Sequence, residues 1–110
     1  MPRYDEDADP WVDGLTIGQV LHETARKHGQ RDALVFPHSN TFRSWTEFAE
    51  DVSAAARGLL ALGIAKGEHV AIWATNVPEW VTLQYAAASI GAVLVNINPA
   101  YRPHELKYVL

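Results

Sequence analysis

Residues 69–97 read HVAIWATNVPEWVTLQYAAASIGAVLVNI, and this stretch decides the fold. It opens with a short apolar run, His69 to Trp73, that lacks clean alternation and is typical of a strand buried on both faces. Val77 to Ile90 is apolar around most of a helical circumference, and Ala92 to Ile97 is a second apolar run. The order strand, helix, strand predicts a right-handed βαβ crossover with two parallel strands.

The helix inside this stretch has recognisable start signals. Asn76 is a candidate N-cap, Pro78 suits the first turn, and Glu79 stands where the helix dipole favours a negative charge. One narrow line of this helix is predicted to face solvent, and it comprises Glu79, Thr82, Ala86 and Ser89. Gln84 is predicted to lie off this line. Beyond the second strand, Pro103 opens a last helix that runs to Leu110.

Two further helices are predicted before the crossover. Thr16-Ile17-Gly18-Gln19 has the form of a capping box and starts a helix for which Gly29 is a plausible stop. Ser44-Trp45-Thr46-Glu47 is a second capping box, and the helix that it starts is predicted to end at Gly63. The apolar stripe of this second helix comprises Trp45, Phe48, Val52, Ala55, Leu59 and Leu62.

A β-hairpin is predicted between these two helices. Ala33 to Phe36 and Thr41 to Arg43 are β-prone runs, and the turn residues Pro37 to Asn40 separate them. The predicted fold class is therefore α/β, with a β-hairpin, a βαβ unit of parallel strands and flanking helices. Because parallel strands need both faces covered and partners on their edges, residues 14–110 are predicted to be the incomplete, truncated N-terminal portion of a larger domain.

Charge is distributed unevenly along the 110 residues. Residues 1–13 contain five acids and one base, whereas the rest of the chain has eight of each sign, which gives the net charge of −4. Residues 1–13 are predicted to form an acidic, disordered tail. An acidic chain with a neutral body argues against nucleic acid as a partner, because phosphate binding requires a basic patch.

Composition also restricts chemistry and location. The chain has no cysteine, which excludes a disulfide framework, a thiolate zinc site and a cysteine nucleophile. Its acidic, polar start is unlike a secretory signal and predicts a cytoplasmic location. Val81 to Tyr101 lacks charged residues, but its polar side chains and Pro99 argue against a transmembrane segment.

No catalytic, cofactor-binding or metal-binding residue is predicted from the motifs. Gly58 and Gly63 have the spacing of a phosphate-binding loop, but Ile64 follows where lysine is required and both glycines fall in a helical stretch. His22 and His28 are six apart, so they lie on opposite sides of their helix and cannot converge on a metal ion. No serine stands at a strand-to-helix elbow beside a candidate base.

One location nevertheless suits a ligand. Ala74 to Asn76 and Asn98 to Tyr101 follow the two parallel strands, and ligands of open α/β sheets bind at the carboxyl ends of strands. Capping by Asn76 and a turn at Asn98 account for these residues, so direct substrate contact is not predicted. The large apolar areas of Trp45, Trp73 and Trp80 predict packing roles in the core.

With these motifs placed, residues 14–110 resemble the N-terminal segment of AMP-binding (adenylate-forming) acyl-CoA synthetases. The order and spacing of five blocks carry the resemblance, and the Asn98-Pro99-Ala100-Tyr101-Arg102 ending is most similar to medium- and long-chain fatty acyl-CoA ligases. The blocks are SWTEF at 44–48, RGLLALGI at 57–64, KGEHVAI at 66–72, NVPEW at 76–80 and GAVLVNINPAY at 91–101.

The resemblance implies a fatty acid–CoA ligase that uses ATP, Mg²⁺ and CoA. In this family a carboxylate attacks the α-phosphorus of ATP, and the thiol of CoA then displaces AMP from the acyl-adenylate. The phosphate loop and the catalytic residues of the family match nothing in this chain, so we expect the segment to be inactive alone and to hold no cofactor. The fatty acid, CoA, the rest of the large domain and the C-terminal domain are the implied partners.

Two other classes of function compete with this interpretation. A stand-alone, non-enzymatic α/β interaction module, or truncated paralogue, would fold cooperatively from these residues alone. The ligase interpretation instead predicts exposed apolar surface along the second βα unit. A small dinucleotide-binding oxidoreductase is disfavoured because the G-x-G-x-x-G fingerprint is absent.

Overall fold

The structure, a computed structural model, describes residues 14–110. The predicted acidic tail, residues 1–13, lies outside the described residues. In chain order the elements are α1 (Ile17–His28), β1 (Asp32–Phe36), β2 (Thr41–Ser44), α2 (Trp45–Ala61), β3 (His69–Trp73), α3 (Pro78–Ser89), β4 (Val93–Ile97) and α4 (Pro103–Val109).

The strands form two separate pairs. β1 and β2 are antiparallel, and their turn ends at Asn40, whose φ of 51° is one that asparagine tolerates better than most residues. β3 and β4 are parallel, with His69 opposite Val93 and Trp73 opposite Ile97, and α3 connects them. The predicted hairpin, βαβ unit and α/β fold class are confirmed.

Both predicted capping boxes are confirmed. The Thr16 hydroxyl accepts from the Gln19 backbone N–H at 3.2 Å, and the Gln19 side chain accepts from the Thr16 N–H at 2.8 Å. In the second box, the Ser44 hydroxyl accepts from the Glu47 backbone N–H at 3.2 Å, and the Glu47 side chain accepts from the Ser44 N–H at 2.9 Å. Each box satisfies two backbone donors that have no partner inside the helix, and this explains why α1 and α2 begin at these residues.

The core lies where α1, α2, α3 and the hairpin meet. Phe48 is 3% exposed, and its ring lies edge-on to Tyr85 and Trp45, with centroid distances of 5.4 and 6.2 Å. The buried core cluster comprises Leu21, Leu34, Phe48, Val52, Ala56, Leu59, Ala86 and Ala87. Trp45 and Val81 pack against this cluster while only partly buried themselves.

The surface of α3 differs from the sequence prediction. Ala86, predicted to face solvent, is fully buried together with Ala87, whereas Gln84 is exposed. The predicted Asn76 cap is also wrong, because Val77 is the N-cap residue and no side chain caps the helix. α3 packs against both α2 and α1, and small alanine side chains allow this close approach.

Both ends of α1 and the C-terminal end of the predicted α2 stripe are exposed. α2 ends at Ala61, so Leu62 falls beyond its last turn and faces solvent, and the chain turns at Gly63 with φ of 88°. Ile17 and His28, at the two ends of α1, are exposed as well. α1 therefore contacts the core from its middle, at Leu21, whereas the core contacts of α2 extend from Trp45 to Leu59.

The sheet formed by β3 and β4 has one covered and one open face. Leu94 packs against the core beside α3, whereas Trp73 is 43% and Val93 46% exposed. The prediction that both strands are buried on both faces, with Trp73 in the core, is wrong for residues 14–110, in which the second face is covered only at Ile97, 8% exposed. The predicted exposed apolar surface of this unit is found here. We call the side chains of His69, Ala71, Trp73, Val93, Val95 and Ile97 the outer face.

No helix within residues 14–110 combines the length and the apolar character needed to cross a bilayer. The cytoplasmic location stays a prediction.

α1 ends at Gly29, as predicted. The reason that glycine is needed at this position is steric. Its φ of −50° is open to every residue, so the left-handed conformation plays no part. A Cβ at this position would lie 2.8 Å from the Ala25 carbonyl oxygen and closer still to the Thr46 hydroxyl. The backbone N–H of Thr46 donates to the Gly29 carbonyl at 3.1 Å, which holds the end of α1 against the start of α2.

We expect Gly29→Ala to lower the free energy of unfolding by about 1–3 kcal/mol, because the added methyl group separates the two helices. Gly58→Ala is the matched control, since a Cβ there meets nothing within 4 Å and the site is helical, so it should raise stability by about 0.5–1 kcal/mol. Urea unfolding followed by circular dichroism measures both changes. Equal behaviour of the two variants would contradict the steric explanation.

Candidate functional site

The carboxyl ends of β3 and β4 meet at one edge of the sheet. Trp73 and Ile97 are the last residues of the two strands and lie opposite each other. The loops that follow, 74–77 and 98–102, therefore leave the sheet side by side, as the sequence predicts. In open α/β sheets this is the edge at which ligands bind.

The two loops differ in how their asparagines are used. The Asn98 side chain accepts from the Ala100 N–H at 2.9 Å, and its carbonyl accepts from the Tyr101 N–H at 3.0 Å, so the predicted turn is confirmed. Asn76 is exposed and does not cap α3. The predicted capping role therefore does not account for Asn76.

A groove of about 560 Å³ begins beside this edge and runs between the hairpin, α2 and α3. Its apolar lining comes from four different elements. The lining residues are Leu34, Thr41, Arg43, Asp51, Ala55, Ile72, Pro78, Glu79, Thr82 and Leu83. The motifs did not predict this groove, because it exists only where β1, α2, β3 and α3 converge.

An ion cluster forms one wall of the groove. The Arg43 Nε and Nη2 atoms donate to the two Asp51 oxygens, each at 2.8 Å, and Nη1 reaches Glu47 at 3.3 Å. The hydrogen bond with Asp51 raises the pKa of Arg43 and keeps the guanidinium charged. The Ser44 backbone N–H lowers the pKa of Glu47, with the Ser44 hydroxyl and Arg43 adding to the effect.

Glu47 and Asp51 lie off the apolar stripe of α2, and their side chains are 48% and 37% exposed. Both hold β2 against α2 through Arg43, whose bidentate contact with Asp51 fixes geometry as well as charge. The sequence signal was present, since two acids four residues apart follow an arginine directly before the helix.

The described residues do not fit a magnesium–nucleotide site. No group of three or more acidic or histidine side chains in 14–110 converges as a metal ion requires. Gly58 lies inside α2 and Gly63 beyond its end, so they do not form a phosphate-binding loop before a helix.

Three comparisons relate this geometry to known proteins. The sequence profile of the AMP-binding enzymes matches residues 21–110. The putative acyl-CoA synthetase YngI of Bacillus subtilis (strain 168) is 47% identical over 95 residues, which is 86% of this chain and 17% of that protein. The mitochondrial medium-chain acyl-CoA ligase ACSF2 of Mus musculus is 42% identical over 102 residues, which is 93% of this chain and 17% of that protein.

Solved structures share the fold. A Mycobacterium tuberculosis fatty acyl CoA synthetase superposes with a TM-score of 0.82 at 34% identity, covering 86% of this chain and 19% of that chain. The N-terminal subdomain of Klebsiella oxytoca NpsA superposes with a TM-score of 0.78 at 29% identity, covering 86% of this chain and 24% of that chain. The chain thus spans about a sixth of the length of the curated relatives that it matches.

Proposed function

The chain belongs to the family of AMP-binding enzymes, and from this premise we propose that it is the N-terminal part of an ATP-dependent fatty acid–CoA ligase. In the proposed reaction a fatty acid carboxylate attacks the α-phosphorus of ATP and releases pyrophosphate. The CoA thiol then attacks the acyl carbonyl carbon of the acyl-adenylate and releases AMP. ATP, Mg²⁺ and CoA are the proposed cofactors of the whole enzyme.

We further propose that residues 1–110 alone are inactive and that they act as a scaffold. The observation that carries this proposal is the open sheet of β3 and β4, whose outer face exposes Trp73 and Val93. Apolar sheet faces of this kind are covered in assembled α/β domains. The absence of a metal-binding cluster among residues 14–110 supports placing the chemistry in the remainder of the enzyme.

The residues of this chain have a positioning role in the proposal. Arg43 and Asp51 tie the hairpin to α2, and Pro78 and Glu79 begin α3 beside the carboxyl end of β3. These four residues line the groove beside the edge of the sheet. The scaffold would therefore contribute geometry, and the remainder of the enzyme would supply the phosphate-binding and acid–base groups.

A chimaera tests the proposed function. The matched segment of mouse ACSF2 is replaced by its counterpart from this chain, and formation of acyl-CoA from medium- and long-chain fatty acids is measured together with ATP–pyrophosphate exchange. We expect the chimaera to be active and the 110-residue chain alone to be inactive. ACSF2 with its own segment and ACSF2 lacking the segment are the positive and negative controls.

Two results would contradict the proposal. Acyl-dependent ATP–pyrophosphate exchange by the isolated chain would show that these residues are catalytic by themselves. A folded, soluble chimaera without ligase activity would contradict the proposed ligase function. In the second case, a sharp two-state melt of the isolated chain without aggregation would favour the stand-alone interaction module.

A further inference from the structure

A second groove, of about 700 Å³, runs along α1. Its lining residues come from both ends of the helix and include Leu15, Val20, Lys27 and His28. Leu15 precedes the N-cap residue and Val20 is the fourth residue of the helix, so these two apolar side chains occupy the positions of a hydrophobic staple. Leu15 is nevertheless 42% exposed. This α1 groove therefore offers apolar surface at its start and positive charge at its end.

The end of the α1 groove lies in a basic stretch. Residues 22–31 contain three bases and one acid, and no other ten consecutive residues of 14–110 contain three bases. The acid, Glu23, accepts from Arg26 at 2.8 Å, and this hydrogen bond lowers the pKa of Glu23. Lys27 and Arg31 are exposed and form no ion pair within the part of the chain that the structure describes. These two cations are available to an acidic partner.

An acidic segment is attached to the start of the same groove. Residues 5–9 contain four acids within five positions, and Trp11 and Val12 follow them. Because Leu15 lines the groove, the chain that precedes it starts beside the groove and is held there at a high effective concentration. Gly14 lies in a turn with φ of 73°, a conformation in which glycine lets the chain reverse its direction. The preceding chain can therefore run back along α1.

The segment is long enough to follow the whole helix. α1 has twelve residues and is about 18 Å long. An extended chain covers at most about 3.3–3.6 Å per residue. Counted back from Leu15, Trp11 then reaches the middle of α1 and Asp9 reaches its last turn. Pro10 favours an extended conformation at Asp9, which suits this path.

From these observations we propose that residues 5–12 bind in the α1 groove, with Trp11 against Val20 and the acids of 5–9 beside Lys27 and Arg31. The occupant is a segment of this chain, so the inference does not depend on the proposed ligase function. Composition predicts that residues 1–13 are disordered, and the proposal differs from that prediction by giving them a partner in the same chain. Exposed ion pairs contribute little individually, so the aromatic anchor and the short tether are needed as well.

A spin label tests this contact in the 110-residue chain. The sequence has no cysteine, so Ala8→Cys creates a single attachment site for a nitroxide. We expect the label to broaden the amide NMR signals of the last turn of α1, Arg26 to His28. Salt at about 0.5 M should weaken this broadening, because it screens exposed charges. Trp11→Ala should lower the ratio of bound to unbound segment by about tenfold, since the variant loses the apolar anchor.

Two pairs of substitutions separate the charges of the groove from total charge. Lys27→Gln with Arg31→Gln removes two cations at the end of the groove, and we expect the ratio of bound to unbound segment to fall by about threefold or more. Lys66→Gln with Lys107→Gln is the matched control. It changes the total charge equally at residues that do not line the groove, so the ratio should not change.

Cleavage by an aspartate-specific protease provides a second measurement in the assembled domain. The protein is an ACSF2 chimaera that carries residues 1–110 of this chain. Only the unbound segment can enter the protease, so we expect Lys27→Gln with Arg31→Gln to speed cleavage at Asp7 and Asp9 by about threefold. This readout needs no ligase activity, so an inactive chimaera rejects the proposed function and leaves the contact testable.

Three results would overturn the proposal. The first is a label that broadens no signal of α1, or a cleavage rate that the glutamine pair leaves unchanged. The second is broadening centred on Trp73 and Val93, which would make the outer face the partner of the segment. The third is broadening of the α1 signals of an unlabelled chain by added spin-labelled chain, which would place the segment in the groove of a second copy.

Discussion

Replacing Phe48 with alanine is expected to lower the free energy of unfolding by about 3–5 kcal/mol. The ring is 3% exposed and lies between Tyr85 and Trp45, so its removal leaves a cavity that three helices cannot close without moving. A domain of this size has a total stability of about 5–15 kcal/mol, and this chain leaves one face of a sheet open. Most of its stability would therefore be lost.

Phe42→Ala is the matched control for this prediction. It deletes the same atoms from a ring that is 52% exposed on β2, and we expect a cost below about 1 kcal/mol. The urea midpoint measured by tryptophan fluorescence and by circular dichroism compares the two variants. If Phe42→Ala were as destabilising as Phe48→Ala, the core would not lie where α2 and α3 meet.

The second large effect is expected for Ala87→Leu in α3. Ala87 is fully buried where α3 packs against α2, and three extra carbon atoms have no space there. Overpacking of this kind costs about 1–3 kcal/mol and sometimes more, because the helices must separate or the side chain must leave its preferred rotamers. The thermal midpoint should fall by about 4–8 °C for each kcal/mol lost.

Gln84→Leu provides the control on the same helix. Gln84 is exposed, so a leucine there changes stability by no more than about 0.5 kcal/mol. The sequence prediction placed both Gln84 and Ala87 off the solvent-facing line, so it does not separate the two variants. A loss for Gln84→Leu as large as that for Ala87→Leu would contradict the exposed position of Gln84.

Elements with local signals were predicted well from the sequence. Both capping boxes and the turn at Asn98 depend on residues within four positions of one another. The partners of such short-range hydrogen bonds are close in sequence, so the residue pattern identifies them directly. The same holds for the order of strands and helices, which follows from periodicity along the chain.

The candidate site was predicted only in part. The pairing of β3 with β4 brings the two loops to one edge, as expected from the βαβ order. The groove and the contact between Arg43 and Asp51 were not predicted, because they join β2 to the second turn of α2 and require the hairpin to lie against that helix. The spacing of Arg43, Glu47 and Asp51 is compatible with this contact, but only the packing of the hairpin against α2 forms it.

The sequence by itself determined the elements, their order, the parallel pairing and the family to which the chain is similar. Only the tertiary structure decided which apolar residues are covered. Ala87 and Trp73 both belong to apolar runs, yet Ala87 is fully buried whereas Trp73 is 43% exposed. The physical reason is that hydrophobicity drives any apolar group from water without direction, whereas burial depends on which surface stands opposite. α2 stands opposite Ala87, and no element of residues 14–110 stands opposite Trp73.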